Sequence, residues 1–447
     1  MTDYKPVRPA AFAGKFYPEL PAVLRQNILA LLATAPADEL RGLKAILVPH
    51  AGYIYSGPTA GRLYASLLGA QRRIRRVVLL GPSHRVRLSG LAVPAATHWA
   101  TPLGLLPIDA ELKARVQHLP QVTVDDAPHA QEHSLEVQLP FLQCVLPQCT
   151  ILPLAVGQAA PAAVAEVLDA VWGDAETLIL ISSDLSHYLP YDAAIAADRA
   201  TLNKLLECLP QLVGEQACGA APANGFFVAA RRRGLLSRLI DYRNSGDTAG
   251  DRERVVGYAA LAYIDPLARL GDTLLKLARG VIEAQFGGPG VTLPALPELQ
   301  QMAASFITLT QAGRLRGCIG SLAAQRKLLD DVAHNARAAA FADPRFKPLA
   351  ASELATTRVE VSLLAPPETM QFADEADALR QLRPGIDGLI LSDGSHRATY
   401  LPQVWEQLPE PARFLAQLKE KAGLPPTHWS AQLQLQRYTV RKWKEPI

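Results

Sequence analysis

This sequence predicts an α/β fold in two domains, and three observations carry the prediction. Apolar runs of strand length alternate with segments of helical spacing; Ala45-Ile46-Leu47-Val48, Val77-Val78-Leu79-Leu80 and Leu178-Ile179-Leu180-Ile181 are the clearest. Each run ends in residues that break a strand, and each then delivers a histidine: His50, His84 or His187. Open α/β sheets place ligands at the carboxyl ends of their strands, so three imidazoles there point to one shared site. The chain also has 447 residues, more than one ordinary core accommodates, and its patterning restarts after Asp265-Pro266. The expected division is 1–265 and 268–447.

The bulk numbers narrow the class. Hydrophobic residues make up 49% and charged residues 19%, which suits a folded globular protein and argues against disorder. A formal charge of +3 implies no large field for nucleic acid. Five cysteines, an odd number in a long chain, do not make a disulfide framework, and a reducing cytoplasm is the simpler setting. Met1 to Pro6 lacks the apolar core of a signal peptide, and no apolar stretch reaches the ~20 residues that span a bilayer.

Taken in order, residues 7–20 hold Gly14-Lys15-Phe16-Tyr17-Pro18 and predict an ordered loop entering a helix over Pro21 to Thr34. The first strand and His50 follow. Thr59 to Leu68 is the expected crossover helix, starting after Pro58. Arg72, Arg73, Arg75 and Arg76 crowd the next strand. Without interleaved aromatic residues for stacking they read as a solvated loop rather than a nucleic-acid patch. Residues 85–124 predict an antiparallel excursion and a short helix, with His98 and His118 as surface or core histidines. Ile151 to Val156 is a strand, Pro161 to Trp172 and Ala193 to Leu209 are helices, and Arg254 to Ile264 closes the domain as a strand. Leu270 to Phe286, a long amphipathic helix, opens the second domain. Ala303 to Leu309 is a strand turning at Gly313, Leu328 to Ala342 a helix, and Arg358 to Leu364 a strand. Pro384 to Leu391 reads as a turn and strand, Leu401 to Trp405 as a loop, and Pro411 to Ala422 as a helix.

Three further stretches carry chemistry. Between Asp125 and Pro140, His129 and His133 are four apart, as are Glu132 and Glu136. One helix would put each pair on one face, with Leu135 and Leu139 as its apolar stripe. A polar outer face is the plain alternative, but four titratable groups so close together suit a metal and its supporting residues. The spacing is not that of the zincin His-Glu-x-x-His motif. Cys218-Gly219 falls in a loop or at a helix start, where a thiol's pKa can drop and make it a thiolate ligand or nucleophile. A small buried hydrophobe is the alternative there, and it is the reading for Cys144, Cys149 and Cys208. Arg314 to Ser321 sets Cys318 beside two arginines. It is either a hairpin arm with a reactive thiol or a glycine-rich structural crossing, and the second is favoured because no base is placed beside the thiol.

Together, the stretches at His50, His84, Glu132-His133, Ser182 to His187 and Cys218-Gly219 resemble the Memo family over about residues 6–265. The resemblance implies a fold like that of the class III extradiol (LigB-like) dioxygenases, a central sheet flanked by helices. Residues 268–447 resemble the AMMECR1 family through Leu315-Arg316-Gly317-Cys318-Ile319-Gly320 and Leu401 to Trp405. That implies an α/β (α+β) domain in two parts, with a cleft near the signature and no established reaction. The chain thus looks like a Memo–AMMECR1 fusion related to the prokaryotic AmmeMemoRadiSam system, which implies a radical SAM protein as a partner. Carried over residue by residue, the metal ligands would be His50, His84 and Cys218. Asp184 and His187 would line the same pocket, with His133 and Glu132 nearby. The related dioxygenases hold iron(II) with two histidines and a carboxylate. A cysteine in the carboxylate's place speaks against catechol ring cleavage.

Three functions follow. The first is a redox metalloenzyme using iron(II), with copper or zinc as other ions that two imidazoles and a thiolate suit. The metal would bind and activate O2 or a small aromatic or phenolic substrate, with His187 or His133 transferring protons and Asp184 orienting an imidazole or binding the metal directly. Cys318 is a separate candidate nucleophile. The second is a non-catalytic module that binds a metal, a peptide or a partner subunit, with the AMMECR1 half as adaptor. The third is zinc-dependent hydrolysis. No nucleic-acid or membrane partner is expected.

Overall fold

The computed structural model of the chain describes residues 6–33, 40, 42–70 and 73–445. Residues 1–5, considered above for a signal peptide, and Thr34 and Arg72 lie outside the described residues. The chain divides into two compact units, Met1–Ala268 and Arg269–Ile447. Among the described residues no helix is long and apolar enough to cross a membrane.

The first unit is built on a nine-stranded sheet. Its order is His187–Leu189, Val255–Ile264, Leu43–Val48, Thr177–Ser182, Arg76–Pro82, Thr150–Val156, Leu91–Val93 and Val122–Val124, with Leu236–Asn244 also against Val255–Ile264. The central four strands, Leu43–Val48 to Thr150–Val156, run parallel. Their central residues form continuous apolar runs, with Lys44, Arg76, Thr150, Thr177 and Ser182 at or near the ends, because both faces are covered. Ile46, Val48, Val77, Leu79 and Leu180 enter one core, and Ala45, Leu47, Val78, Leu80 and Ile181 the other. Helices Pro21–Ala33 and Tyr53–Ala65 cover the first face; Pro161–Val171, Tyr191–Leu206 and Ala220–Arg232 cover the second. This is the sheet between helix layers that the sequence predicts.

Two elements differ from expectation. The crossover helix spans Tyr53–Ala65, starting behind Gly52, with Pro58 inside it. Proline there forfeits the bond to the carbonyl four residues back. That residue, Ile54, is 67% exposed, so water can satisfy its carbonyl. The single helix expected across 129–139 is instead three short ones, Ala127–Ala130, His133–Glu136 and Leu139–Val145. Glu132 is extended at the break and caps the second piece by accepting from the Ser134 N–H. Tertiary partners for Glu132 and Glu136 outweigh local helical preference. The paired residues therefore do not share a helix face.

The second unit holds two antiparallel sheets. One orders Arg314–Gly320, Met302–Gln311, Thr357–Leu364 and Val440–Lys444, with Arg326–Lys327 also against Met302–Gln311. Helix Leu328–Phe341 packs on it. The other orders Glu368–Thr369, Gln434–Tyr438, Gly388–Asp393 and His396–Tyr400 over a core where Trp405 and Phe414 stack at 3.7 Å. Cys318 lies on a hairpin arm: Arg314–Gly320 returns along Met302–Gln311 after a turn at Gly313, whose φ is +76°.

Candidate functional site

The parallel pairing fixes where the site forms. Leu47 and Leu80 are both level with Ile181, so the three strands end together. His50, His84 and Asp184 each lie a few residues beyond that level, at the carboxyl edge. One ring nitrogen from each of His50, His84 and His133 lies within 4.8 Å of the others. The ring centroids are 5.3 Å (His50–His84), 5.3 Å (His50–His133) and 4.8 Å (His84–His133) apart.

Two of the three imidazoles, His50 and His84, are held by hydrogen bonds from behind. The Ser182 hydroxyl donates to the Ser134 carbonyl at 2.6 Å and accepts from Gln138 Nε2 at 2.8 Å. Gln138 is oriented in turn by Tyr64, which donates to its Oε1. With its proton spent, Ser182 Oγ can only accept from His50 Nδ1, 2.9 Å away. That assigns the proton of His50 to Nδ1 and leaves the Nε2 lone pair facing Cys218 Sγ at 3.2 Å. Glu132 does the same for His84: its Oε1 accepts from Nδ1 at 2.9 Å, and its Oε2 from the backbone N–H at 2.6 Å. Burial works to raise the Glu132 carboxyl, but its bonds to His84 prevail and hold it down at about 2. His133 stacks on His84 and packs against Phe16 at 4.7 Å. Its buried Nδ1 lies 3.3 Å from Glu132 Oε1 without forming a hydrogen bond.

Burial favours the neutral form of His50 and His133. Burial, with the charges of His84 and His187, lowers His50 to about 3; burial and His50 lower His133 to about 4. Neutral imidazoles are the metal-binding form. Cys218 sits just before helix Ala220–Arg232, as the sequence predicts. Its thiol pKa is not depressed there: burial and the Asp184 charge push it up. Its sulfur accepts from the Asp184 N–H at 3.2 Å. Burial also raises the Asp184 carboxyl, whose Oδ1 accepts from the His50 N–H at 2.7 Å and whose Oδ2 is 4.0 Å from His50 Nε2. His187 opens the next strand, half-buried, outside the group of three.

The structure therefore gathers His50, His84, His133, Cys218, Asp184 and Glu132. His129 and Glu136 serve elsewhere. His129 is buried against Trp99, with Nε2 3.1 Å from the Ala92 carbonyl. Glu136 pairs with Arg8 at 2.6 Å and accepts from the Ala11 and Phe12 N–H groups and the Tyr17 hydroxyl. Arg8 also donates to the carbonyls of His129 and Glu132. This pair straps the Phe12–Phe16 segment beside His133. Ser182 and Gln138 carry roles that sequence reasoning missed; Ser182 is signalled by its place at a site strand's end, Gln138 by nothing local. In the second unit, Cys318 Sγ lies 3.3 Å from the Thr308 hydroxyl. Arg316 is engaged by Glu353, and the arginine that reaches Cys318 is Arg345, which donates to its carbonyl.

A sheet between helix layers, with clustered imidazoles at its carboxyl edge, defines a candidate metal-binding α/β protein. Residues 8–262 match the family model described as Memo-like protein, and residues 275–443 match AMMECR1. The chain belongs to the Memo family and carries an AMMECR1 domain behind the Memo domain. A MEMO1 family protein of Aquifex aeolicus is 36% identical over 270 residues, covering 58% of this chain and 99% of that protein. One of Metallosphaera sedula is 32% identical over 281 residues, covering 58% and 99%. Among solved structures, an uncharacterised protein from Pyrococcus horikoshii is 33% identical, covers 39% of this chain and 91% of its own, and superposes with a TM-score of 0.35.

Proposed function

We propose that the Memo half is a metal-dependent redox protein of the non-haem type, with iron(II) first and copper second. The observation that carries the reading is the triangle of imidazoles with the Cys218 thiol against His50. The donor set fits such an ion: His50 presents a lone pair, and the His133 Nδ1 is buried with no hydrogen-bond partner. His50, His84 and Cys218, or His133 in place of the thiol, would hold the metal, and the bound ion would supply electron transfer with O2. The chain's own residues do the rest. Ser182 holds His50 and Glu132 holds His84, each in one tautomer. Asp184, its carboxyl raised by burial, can keep a proton beside His50. His187, half-buried, connects the site to solvent and can carry protons. A small molecule, aromatic ones first, is the substrate class to screen, since Phe16 flanks His133.

Imidazoles with a thiol and no first carboxylate equally suit zinc, which makes hydrolysis through an activated water the second reading. Metal content of protein purified without oxygen tests the first. Stoichiometric iron or copper, lost in His50→Ala and His84→Ala and followed by O2 uptake with a substrate, is the expected result. Normal iron in both variants would overturn the site. Preference for zinc would favour hydrolysis, and metal uptake with no O2 consumption a binding module. A radical SAM protein is the proposed partner, and a native-host pull-down that never recovers one would count against it.

A further inference from the structure

We propose that Ser321 and Asp331 of the second unit form a nucleophile and its base, a site for esters or thioesters separate from the histidine cluster. Asp331 stands on helix Leu328–Phe341 and is wholly buried. Its Oδ2 is saturated, accepting from the Ser305 N–H at 2.8 Å, the Ser305 hydroxyl at 2.7 Å and Asn335 Nδ2 at 3.0 Å. Its Oδ1 faces the Ser321 hydroxyl, which donates to it at 2.6 Å. Arg326 approaches the same oxygen at 3.4 Å. Ser305 and Asn335 are as buried as Asp331, whereas Ser321 is half-buried and the Arg326 side chain 40% exposed.

Packing a helix on a sheet does not call for a buried carboxylate, which is costly to desolvate where apolar side chains would serve. The polarity is arranged with direction. One carboxylate oxygen is pinned by buried donors, and the other meets the hydroxyl of a half-buried serine. That is the nucleophile–base–orienter order of covalent catalysis. Ser321 is itself fixed, its N–H donating to the Ser305 carbonyl at 2.9 Å. It directly follows the Leu315 to Gly320 signature, whose last glycine lies under the Phe306 ring, where a Cβ would meet ring carbon at 2.2 Å.

In the reaction, Ser321 Oγ bonds to the substrate's carbonyl carbon as its proton passes to Asp331 Oδ1. The carbon–oxygen or carbon–sulfur bond then breaks, and the leaving group takes that proton from Asp331. Water repeats both steps and releases the acid. The Arg326 guanidinium lies where it can pair with the acyl oxygen as negative charge develops.

The test uses the full chain stripped of metal, so that the histidine centre contributes no hydrolysis. A fluorophosphonate probe should label Ser321, located by peptide mass spectrometry, and p-nitrophenyl acetate hydrolysis should fall about 100-fold in Ser321→Ala. Asp331→Asn, which removes the carboxylate oxygen that accepts the Ser321 proton, should also lose labelling. Absence of label on Ser321 in folded wild-type protein would overturn the proposal, as would undiminished labelling in folded Asp331→Asn. If Asp331→Asn fails to fold, the wild-type label and Ser321→Ala decide the matter alone.

Discussion

Glu132 holds His84 twice, once through the ring nitrogen Nδ1 at 2.9 Å and once through the backbone N–H at 2.6 Å. A carboxylate that grips both ring and backbone fixes where the imidazole sits and which nitrogen carries the proton. Glu132→Gln keeps the size but forces an amide to face one of those donors. We expect metal affinity to fall about 10–100-fold in this variant. Competition titration against a chromophoric chelator measures it, and unchanged affinity would show that Glu132 does not tune the site.

The Ser182–Gln138–Tyr64 chain makes a parallel claim for His50. Ser182→Ala strands the Ser134 carbonyl, a Gln138 donor and His50 Nδ1 in a buried setting. Each unmet buried polar group costs about 1–3 kcal/mol, so urea denaturation should show a loss in at least that range. Nitrogen-15 spectra of the histidines should show His50 losing its single Nδ1–H tautomer. A variant as stable as wild type, with His50 unchanged, would contradict the assignment.

Gly219 lets Cys218 reach His50. A Cβ there would meet Ser183 Cβ at 2.5 Å and the Ser182 carbonyl at 2.7 Å, so Gly219→Ala must displace the Cys218 loop. Cobalt(II)-loaded protein should then lose its thiolate-to-metal absorption while keeping His-ligand bands. Retention of the sulfur band would mean that the loop yields without moving the thiol.

What could be read from the sequence follows from what is local. The apolar runs ending at Val48, Leu80 and Ile181 are continuous because both faces of each strand are covered, so strand, burial and carboxyl-edge histidine could be read together. The Pro-based start for the crossover helix failed because Pro58 forfeits a bond that solvent replaces. The break at Glu132 was hidden because its cause lies in His84, 48 residues away in sequence. Gln138 was illegible for the same reason: its partners are Tyr64, Pro49 and Ser182. Cys218 stood at a helix start as expected, yet burial reverses the pKa shift that position suggests. His187 carried the same strand-end signal as His50 and His84, but the chain passes through Ser183 to Ser186 before reaching it, and His133 completes the triangle instead.

The Arg8–Glu136 pair is almost fully buried, with side-chain exposures of 5% and 0%. Removing one partner leaves the other charge unpaired in the interior. Arg8→Ala should therefore cost about 3–5 kcal/mol. It should also free the Phe12–Phe16 segment and raise hydrogen exchange at the Ala11 and Phe12 amides, which donate to Glu136. A loss below about 1 kcal/mol would place the pair among exposed ion pairs in effect.

His129 gives a pH dependence separable from the metal ligands. It is 1% exposed, and burial, followed by the Arg8 charge, lowers its pKa from 6.5 to about 4. Between those values the unfolded chain binds a proton that the folded chain does not. The stability it contributes is therefore present above pH 6.5 and is lost as pH falls through 6.5 towards 4. The full effect is about 3 kcal/mol, with a slope of about 1.4 kcal/mol per pH unit inside the window. His50 and His133 carry the same sign, so the wild-type slope should be steeper than one proton explains. In His129→Gln, which cannot take the proton, denaturation free energies measured from pH 7 to pH 4 should lose one proton's worth of slope and keep the rest. Equal slopes in the two proteins would mean that His129 titrates in the fold as it does in the open chain.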